Sequence, residues 1–146
     1  MFIKQISVYL ENDKGTLREM TRLLADHEID LVAITLADTA TFGIARLIMR
    51  SESMNPGRSC LEEAGFVTKI NDVLCLRVPN RPAELDRILA ILEENGYSLE
   101  YLYSLNYSVG ENALLILRLS DNEGVEEILE KEGIEMCAQS VIDELL

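Results

Sequence analysis

Positive charge is what this chain has least of: 13 basic side chains stand against 26 acidic ones, a formal net charge of −13. The imbalance is uneven, since residues 1–71 hold 8 basic and 10 acidic side chains and residues 72–146 hold 5 and 16. A surface of that sign repels phosphate backbones, and no basic stripe with interleaved aromatics offsets it, which excludes nucleic acid as a direct ligand. The acidity reads as a solvated face, with a docking surface for a basic partner protein as the other use. Histidine is nearly absent. His27 stands alone near a helix end, with no cysteine, serine or carboxylate at a partner spacing, so it is not read as a catalytic base. The three cysteines, Cys60, Cys75 and Cys137, are isolated, odd in number and set among apolar residues. They read as reduced core thiols of a cytoplasmic protein. There is no Cys-x-x-Cys, no histidine pair at i, i+4, no calcium-loop pattern and no glycine-rich nucleotide loop, so neither metal nor cofactor is expected. No apolar run approaches the roughly 18 residues of a membrane span. One of the longest, Ala113 to Leu117, is stopped by Arg118, and no membrane association is expected. Met1 to Gln5 run directly into an alternating strand rather than a secretory signal, and the acceptor-like Asn106-Tyr107-Ser108 therefore lacks the context for glycosylation.

What is present is a repeat. With 48% apolar and 27% charged residues the composition is that of a globular protein. Asn12-Asp13-Lys14-Gly15-Thr16-Leu17 returns, altered, as Asn80-Arg81-Pro82-Ala83-Glu84-Leu85, at a constant offset of 68 residues. Before each copy, apolar residues alternate: Ile6, Val8 and Leu10, then Leu74, Leu76 and Val78. Period two with one apolar face makes each a strand covered on one side. After each copy come Leu17, Met20 and Leu24, matched by Leu85, Ile88 and Leu92. Spacings of three and four make these amphipathic helices of about three turns. Each copy is thus a strand-to-helix turn.

The helices are expected to stop near His27–Ile29 and Asn95–Tyr97. Strands follow over 31–37 and 99–105, polar turns over 38–41 and 106–110, and further strands over 44–49 and 113–119. Second helices are expected over 53–64 and 121–132, each ending in a glycine, Gly65 and Gly133. Short strands over 66–70 and 134–138 close the halves. The order strand, helix, strand, strand, helix, strand, with right-handed crossovers, gives an antiparallel four-stranded sheet with both helices on one face. The fold class expected is therefore α+β, two tandem ferredoxin-like domains over residues 1–71 and 72–146, each near the lower size limit for an independent core. Tyr9, Tyr101 and Tyr103 alternate onto the opposite, moderately amphipathic sheet face. The glutamates 123, 126, 127, 130 and 132 spread over an outer helix face, and Arg18 and Arg22, with Glu19 and Asp26 nearby, decorate a surface helix. Neither set reads as a catalytic pair.

A ferredoxin-like unit whose first turn reads Asn/Asp-x-Pro-Gly-x-Leu resembles the ACT domain, and nearly the whole chain is similar to two copies of it. Phe42 to Ile48, Leu61 to Phe66 and Asp72 to Leu74 are further stretches similar to small tandem ACT proteins of bacteria. The resemblance implies a regulatory, non-enzymatic sensor that binds a small amino acid at an interface between ACT units, commonly as a homodimer. Beside it stands a physical argument: the first turn of a helix offers unpaired N–H groups and a positive dipole end to a carboxylate, while Asn or Asp side chains and loop carbonyls accept from an ammonium. The expected ligand residues are Asn12, Asp13, Gly15 and Thr16 for the main-chain groups, with Lys14 and Leu17 lining the site. Their counterparts Asn80, Arg81, Pro82 and Ala83 follow, and Ile34 and Tyr103 are expected to cover the ligand. The copies depart from the pattern differently. The first has Lys14 in place of proline; the second has Ala83 in place of glycine, whose added Cβ narrows the turn and makes the first copy the favoured site. The rival reading is a ligand-free interaction module that dimerises through its sheets and docks a partner protein on its acidic second half.

Overall fold

The structure is a computed structural model and describes residues 1–11, 13–38 and 42–145. It divides into two compact units. The change of unit falls between Asn71 and Asp72; in addition Met1–Ile3 group with Asp72–Val141, and Ile142–Leu146 with Lys4–Asn71.

The first unit contains β1 (Ile3–Glu11), α1 (Thr16–Asp26), β2 (Ala33–Asp38), β3 (Phe42–Ile48), α2 (Ser51–Glu63) and the first five residues of β4 (Val67–Pro79). Its strand order is β4-β1-β3-β2. In the antiparallel pair β1–β3, Ile6 lies opposite Leu47 and Val8 opposite Ala45. Alternate residues share a face, so Ile6, Val8 and Leu10 of β1 meet Met20 and Leu24 of α1 and Cys60 and Leu61 of α2 in one buried cluster. The second unit contains the rest of β4, α3 (Glu84–Glu94), β5 (Leu99–Val109), β6 (Asn112–Leu119), α4 (Val125–Lys131) and β7 (Glu135–Met136). Here the order is β7-β4-β6-β5. Leu74, Leu76 and Val78 meet Ile88, Ile91 and Leu92 of α3 and Val125 and Leu129 of α4. Each unit is therefore a ferredoxin-like sheet with both helices on one face. Eight core positions correspond at the 68-residue offset, from Ile6 and Leu74 to Leu61 and Leu129. Truncating a buried leucine of this kind to alanine costs about 2–5 kcal/mol.

Several elements differ from expectation, and β5 runs on to Val109, through most of the turn expected over 106–110. Instead of two strands broken at Asn71-Asp72, β4 runs unbroken for 13 residues. The Asn71 side-chain Oδ1 accepts from the buried Ser7 hydroxyl at 2.8 Å and the Asp72 main-chain carbonyl from Arg118 Nη1 at 2.7 Å, so both residues are tied to neighbouring strands without leaving β4. The fourth helix starts at Val125 rather than near Asp121. Asp121 Oδ1 instead accepts from Glu123 N at 2.9 Å, and Gly124 takes a left-handed φ of 75°, which spends residues 121–124 on a turn. After β7 the chain forms a short helix, α5 (Gln139–Asp143), which periodicity had not indicated because one turn is too short to show a stripe.

The carboxylate of Asp143 then caps α2, whose start at Ser51 has no side-chain cap of its own. Asp143 Oδ1 accepts from Ser51 N at 2.8 Å and Oδ2 from Ser51 Oγ at 2.7 Å, while Arg50 donates to the Leu145 carbonyl. A negative group at a helix start also meets the positive end of its dipole. This accounts for α2 beginning two residues before the expected Ser53. All three cysteines are free and buried. Burial, and then the charge of Glu63, push the Cys60 thiol up; a hydrogen bond with Cys137, and then burial, push Cys75 up. Both stay protonated and so poorly nucleophilic.

Two outcomes follow from these contacts. Asp143→Ala should cost about 1 kcal/mol and lower the unfolding midpoint by a few degrees, read by circular dichroism. Alkylation by iodoacetamide at pH 8 should leave Cys60 and Cys75 unmodified in the native protein and label both in denaturant, read by peptide mass analysis.

Candidate ligand-binding site

Where β1 gives way to α1, Gly15 stands at the helix start with φ 93° and ψ −5°, a left-handed conformation. A β-carbon built on Gly15 meets nothing within 4 Å, so glycine is needed there for its backbone and not for lack of room. The turn is closed by two bonds to the Asp13 carbonyl, from Thr16 N at 3.3 Å and Thr16 Oγ1 at 3.0 Å. Gly15 brings no side-chain cap to α1, and none is formed by the described residues. The N–H groups of its first turn therefore have no partner within the helix beyond that Asp13 carbonyl, and they carry the positive dipole end.

Beside this turn lies a cleft of about 560 Å³, lined by Tyr9, Leu10 and Glu11 of β1, Asp13 to Thr16, Glu19 of α1, Phe42 of β3 and residues 64–67. Its lining includes the apolar side chains of Tyr9 and Phe42, tilted together with ring centroids 5.9 Å apart, and the residues Phe66 and Val67. The lining also holds charged residues of both signs, Lys14 with Glu11, Asp13 and Glu19. Amino-acid ammonium and carboxylate groups would both meet an opposite charge there. The volume lies inside the roughly 300–1,000 Å³ typical of small-molecule sites.

The expected residues divide as follows. Asp13, Lys14, Gly15 and Thr16 meet in this cleft. Leu17 lines an adjacent hollow of about 300 Å³ with Leu36, Ala37 and Asp38, which Asp13 and Thr16 share. Ile34 is exposed on β2 and lines neither space, and Asn12 lies outside the described residues. In the second unit the matching cleft is about 200 Å³ and includes Arg81; Asn80, Pro82 and Ala83 do not line it. Tyr103 stacks on Tyr101 at 6.5 Å and lines neither cleft. Glu11, Glu19, Phe42 and Phe66 were not among the expected site residues. Phe42 reaches the site only through the β1–β3 register, where it pairs with Glu11, and no local pattern announces that.

The second turn repeats the first with a strain. Ala83 occupies the Gly15 position at φ 71° and ψ −4°, and Arg81 N donates to the Pro79 carbonyl at 2.8 Å. A residue with a β-carbon in this region costs roughly 1–2 kcal/mol.

A ferredoxin-like unit that opens a cleft at its first strand-to-helix turn, repeated once in the same chain, is the architecture of a tandem ACT protein. Residues 1–146 match the family model of the ACT domain pair, and the chain belongs to that family. Among solved structures, a protein of Bacteroides thetaiotaomicron superposes with a TM-score of 0.87 at 32% identity, over 99% of this chain and 98% of its own. The ligand-free regulatory subunit of aspartate kinase from Thermus thermophilus gives 0.63 at 13% identity, over 89% and 90% of the two chains. The corresponding subunit from Thermus flavus gives 0.58 at 13%, over 78% and 80%. At that identity the two subunits show the fold. No curated protein matches the chain.

Relieving the strain gives a direct check on the second turn. Ala83→Gly should stabilise the protein by about 0.5–1 kcal/mol, net of the entropy glycine adds to the unfolded chain, read as a higher denaturant midpoint with unchanged slope.

Proposed function

We propose that this protein is a non-enzymatic regulatory sensor of the cytoplasm that binds a small amino acid in the cleft of its first unit. The observation that carries the reading is the uncapped start of α1 opening into a cleft of about 560 Å³ whose lining offers residues of both charges and apolar side chains to a zwitterion. The helix start and Lys14 take the ligand carboxylate; Asp13, with Glu11 or Glu19, takes the ammonium; Tyr9 and Phe42 face the side chain. Asn12, Thr16 and Leu17 complete the contacts, and Ile34 and Tyr103 belong to surfaces from which a further ACT unit covers the cleft. Binding shifts the pairing of ACT units, within a homodimer, to the extent that the ligand favours one arrangement. Asn80, Arg81, Pro82 and Ala83 keep the turn of the second unit, whose cleft of about 200 Å³ falls below the usual range for a small-molecule site.

Support also comes from the family and from the neighbours whose names describe regulatory subunits of aspartate kinase. Among the described residues no helix is long and apolar enough to cross a membrane. The rival reading, an interaction module that binds no small molecule, draws on the exposed Leu17, Ile34 and Leu36, which give the first unit an apolar edge.

Thermal unfolding against a panel of amino acids separates the two. A ligand at 100 times its dissociation constant adds about 2.7 kcal/mol and raises the midpoint by several degrees. The sensor reading expects a selective shift that Gly15→Val abolishes and Ala83→Gly retains. A panel flat at millimolar concentration would favour the interaction module.

A further inference from the structure

The two clefts carry opposite charge. At the 68-residue offset, Tyr9, Asp13 and Glu19 of the first cleft become Arg77, Arg81 and Arg87 of the second. Residues 72–146 hold only 5 basic side chains against 16 acidic ones, and 3 of those 5 converge on this one cleft. Scattered surface cations would not gather so.

Internal ion pairing accounts for part of the cluster. Arg81 Nη2 lies 3.3 Å from Glu84 Oε1, Arg87 Nη1 lies 3.9 Å from Glu84 Oε2, and Arg77 Nη1 lies 3.4 Å from Glu135 Oε1. Arg87 Nη2 also donates to the Glu132 carbonyl. Three guanidinium groups share two carboxylates, so one positive charge in the lining is uncompensated. One donor is left over as well: Arg77 Nε is buried and has no hydrogen-bond partner. That donor is enclosed by the protein, so an anion in the cleft would be drawn by the unbalanced guanidinium charge of the lining and not by this atom. Asn112 lines the same space, and the start of α3, to which Ala83 brings no side-chain cap, stands at its edge with Glu84. About 200 Å³ admits a compact anion but is small for a ligand with a bulky side chain.

We propose that the cleft of the second unit, where Arg77, Arg81 and Arg87 converge beside the start of α3, binds a small oxyanion, a carboxylate or phosphate group. Guanidinium suits either group, because its planar fork donates two parallel hydrogen bonds to a pair of oxygens. The chain would then take two inputs of different chemistry, an amino acid in one unit and a compact anion in the other. The anion site stands independently of the amino-acid site.

The full chain is titrated with sodium phosphate and, separately, with sodium succinate, with sodium chloride at matched ionic strength as the reference. Thermal unfolding is the readout. The expected result is a saturable rise in midpoint with at least one of the two anions, beyond that of chloride. A response to phosphate alone assigns a phosphoryl ligand, and to succinate alone a carboxylate. Arg87→Gln should weaken the response at least tenfold. Arg81→Gln, at an exposed position that leaves the fold intact, should weaken it severalfold. Gly15→Val should leave it unchanged, which keeps this test separate from that of the amino-acid site. Curves for both anions that overlay chloride would overturn the proposal. So would an anion response that both arginine variants retain in full, since the anion would then bind elsewhere.

Discussion

A left-handed residue at the start of a helix turns the chain sharply, and when that residue is glycine or alanine it brings no side-chain oxygen to cap the helix. Gly15, Ala83 and Gly124 all stand at such positions, with φ of 93°, 71° and 75°. The turn lets an amphipathic helix fold back from the end of a strand onto the sheet that the strand has just formed. It also leaves the N–H groups of the first helical turn for other acceptors. One constraint thus serves the fold and the site together.

What differs between the copies is what has been built against that helix start. In the first unit the surroundings are an aromatic pair and residues of mixed charge lining an open cleft. In the second, arginines and glutamates from β4, α3, the turn between them and β7 close on one another and leave about a third of the volume. The backbone strain is placed accordingly. The open cleft has glycine at its left-handed position, and the arginine-lined cleft carries the strained alanine.

The fold was largely legible because it is written in local periodicities and written twice. Ile6, Val8 and Leu10 with Met20 and Leu24, repeated as Leu74, Leu76 and Val78 with Ile88 and Leu92, announce two strand-helix units whose cores correspond. The turn residues that line the first cleft, Asp13 to Thr16, were legible for the same reason. Phe42 and Phe66 were not, because they reach the cleft from a neighbouring strand and from the loop after α2. Nor was the cap on α2, since Asp143 comes from 92 residues further along the chain. Register and tertiary capping are decided by contacts that no window of the sequence contains. The arginine cluster was hidden differently: Arg77, Arg81 and Arg87 lie four and six residues apart, on a strand, a turn and a helix, and only the fold brings them to one place.

The central claim is that the start of α1, and not that of α3, receives the amino-acid carboxylate. Chemical-shift perturbation of the ¹⁵N-labelled protein, titrated with whichever amino acid raises its unfolding midpoint, tests this most directly. The account predicts the largest saturable shifts at the backbone amides of Lys14, Gly15, Thr16, Leu17 and Arg18, with the amides of Ala83, Glu84 and Leu85 little changed. Saturable shifts centred on Ala83 to Leu85, with the Lys14 to Arg18 amides unmoved, would contradict it.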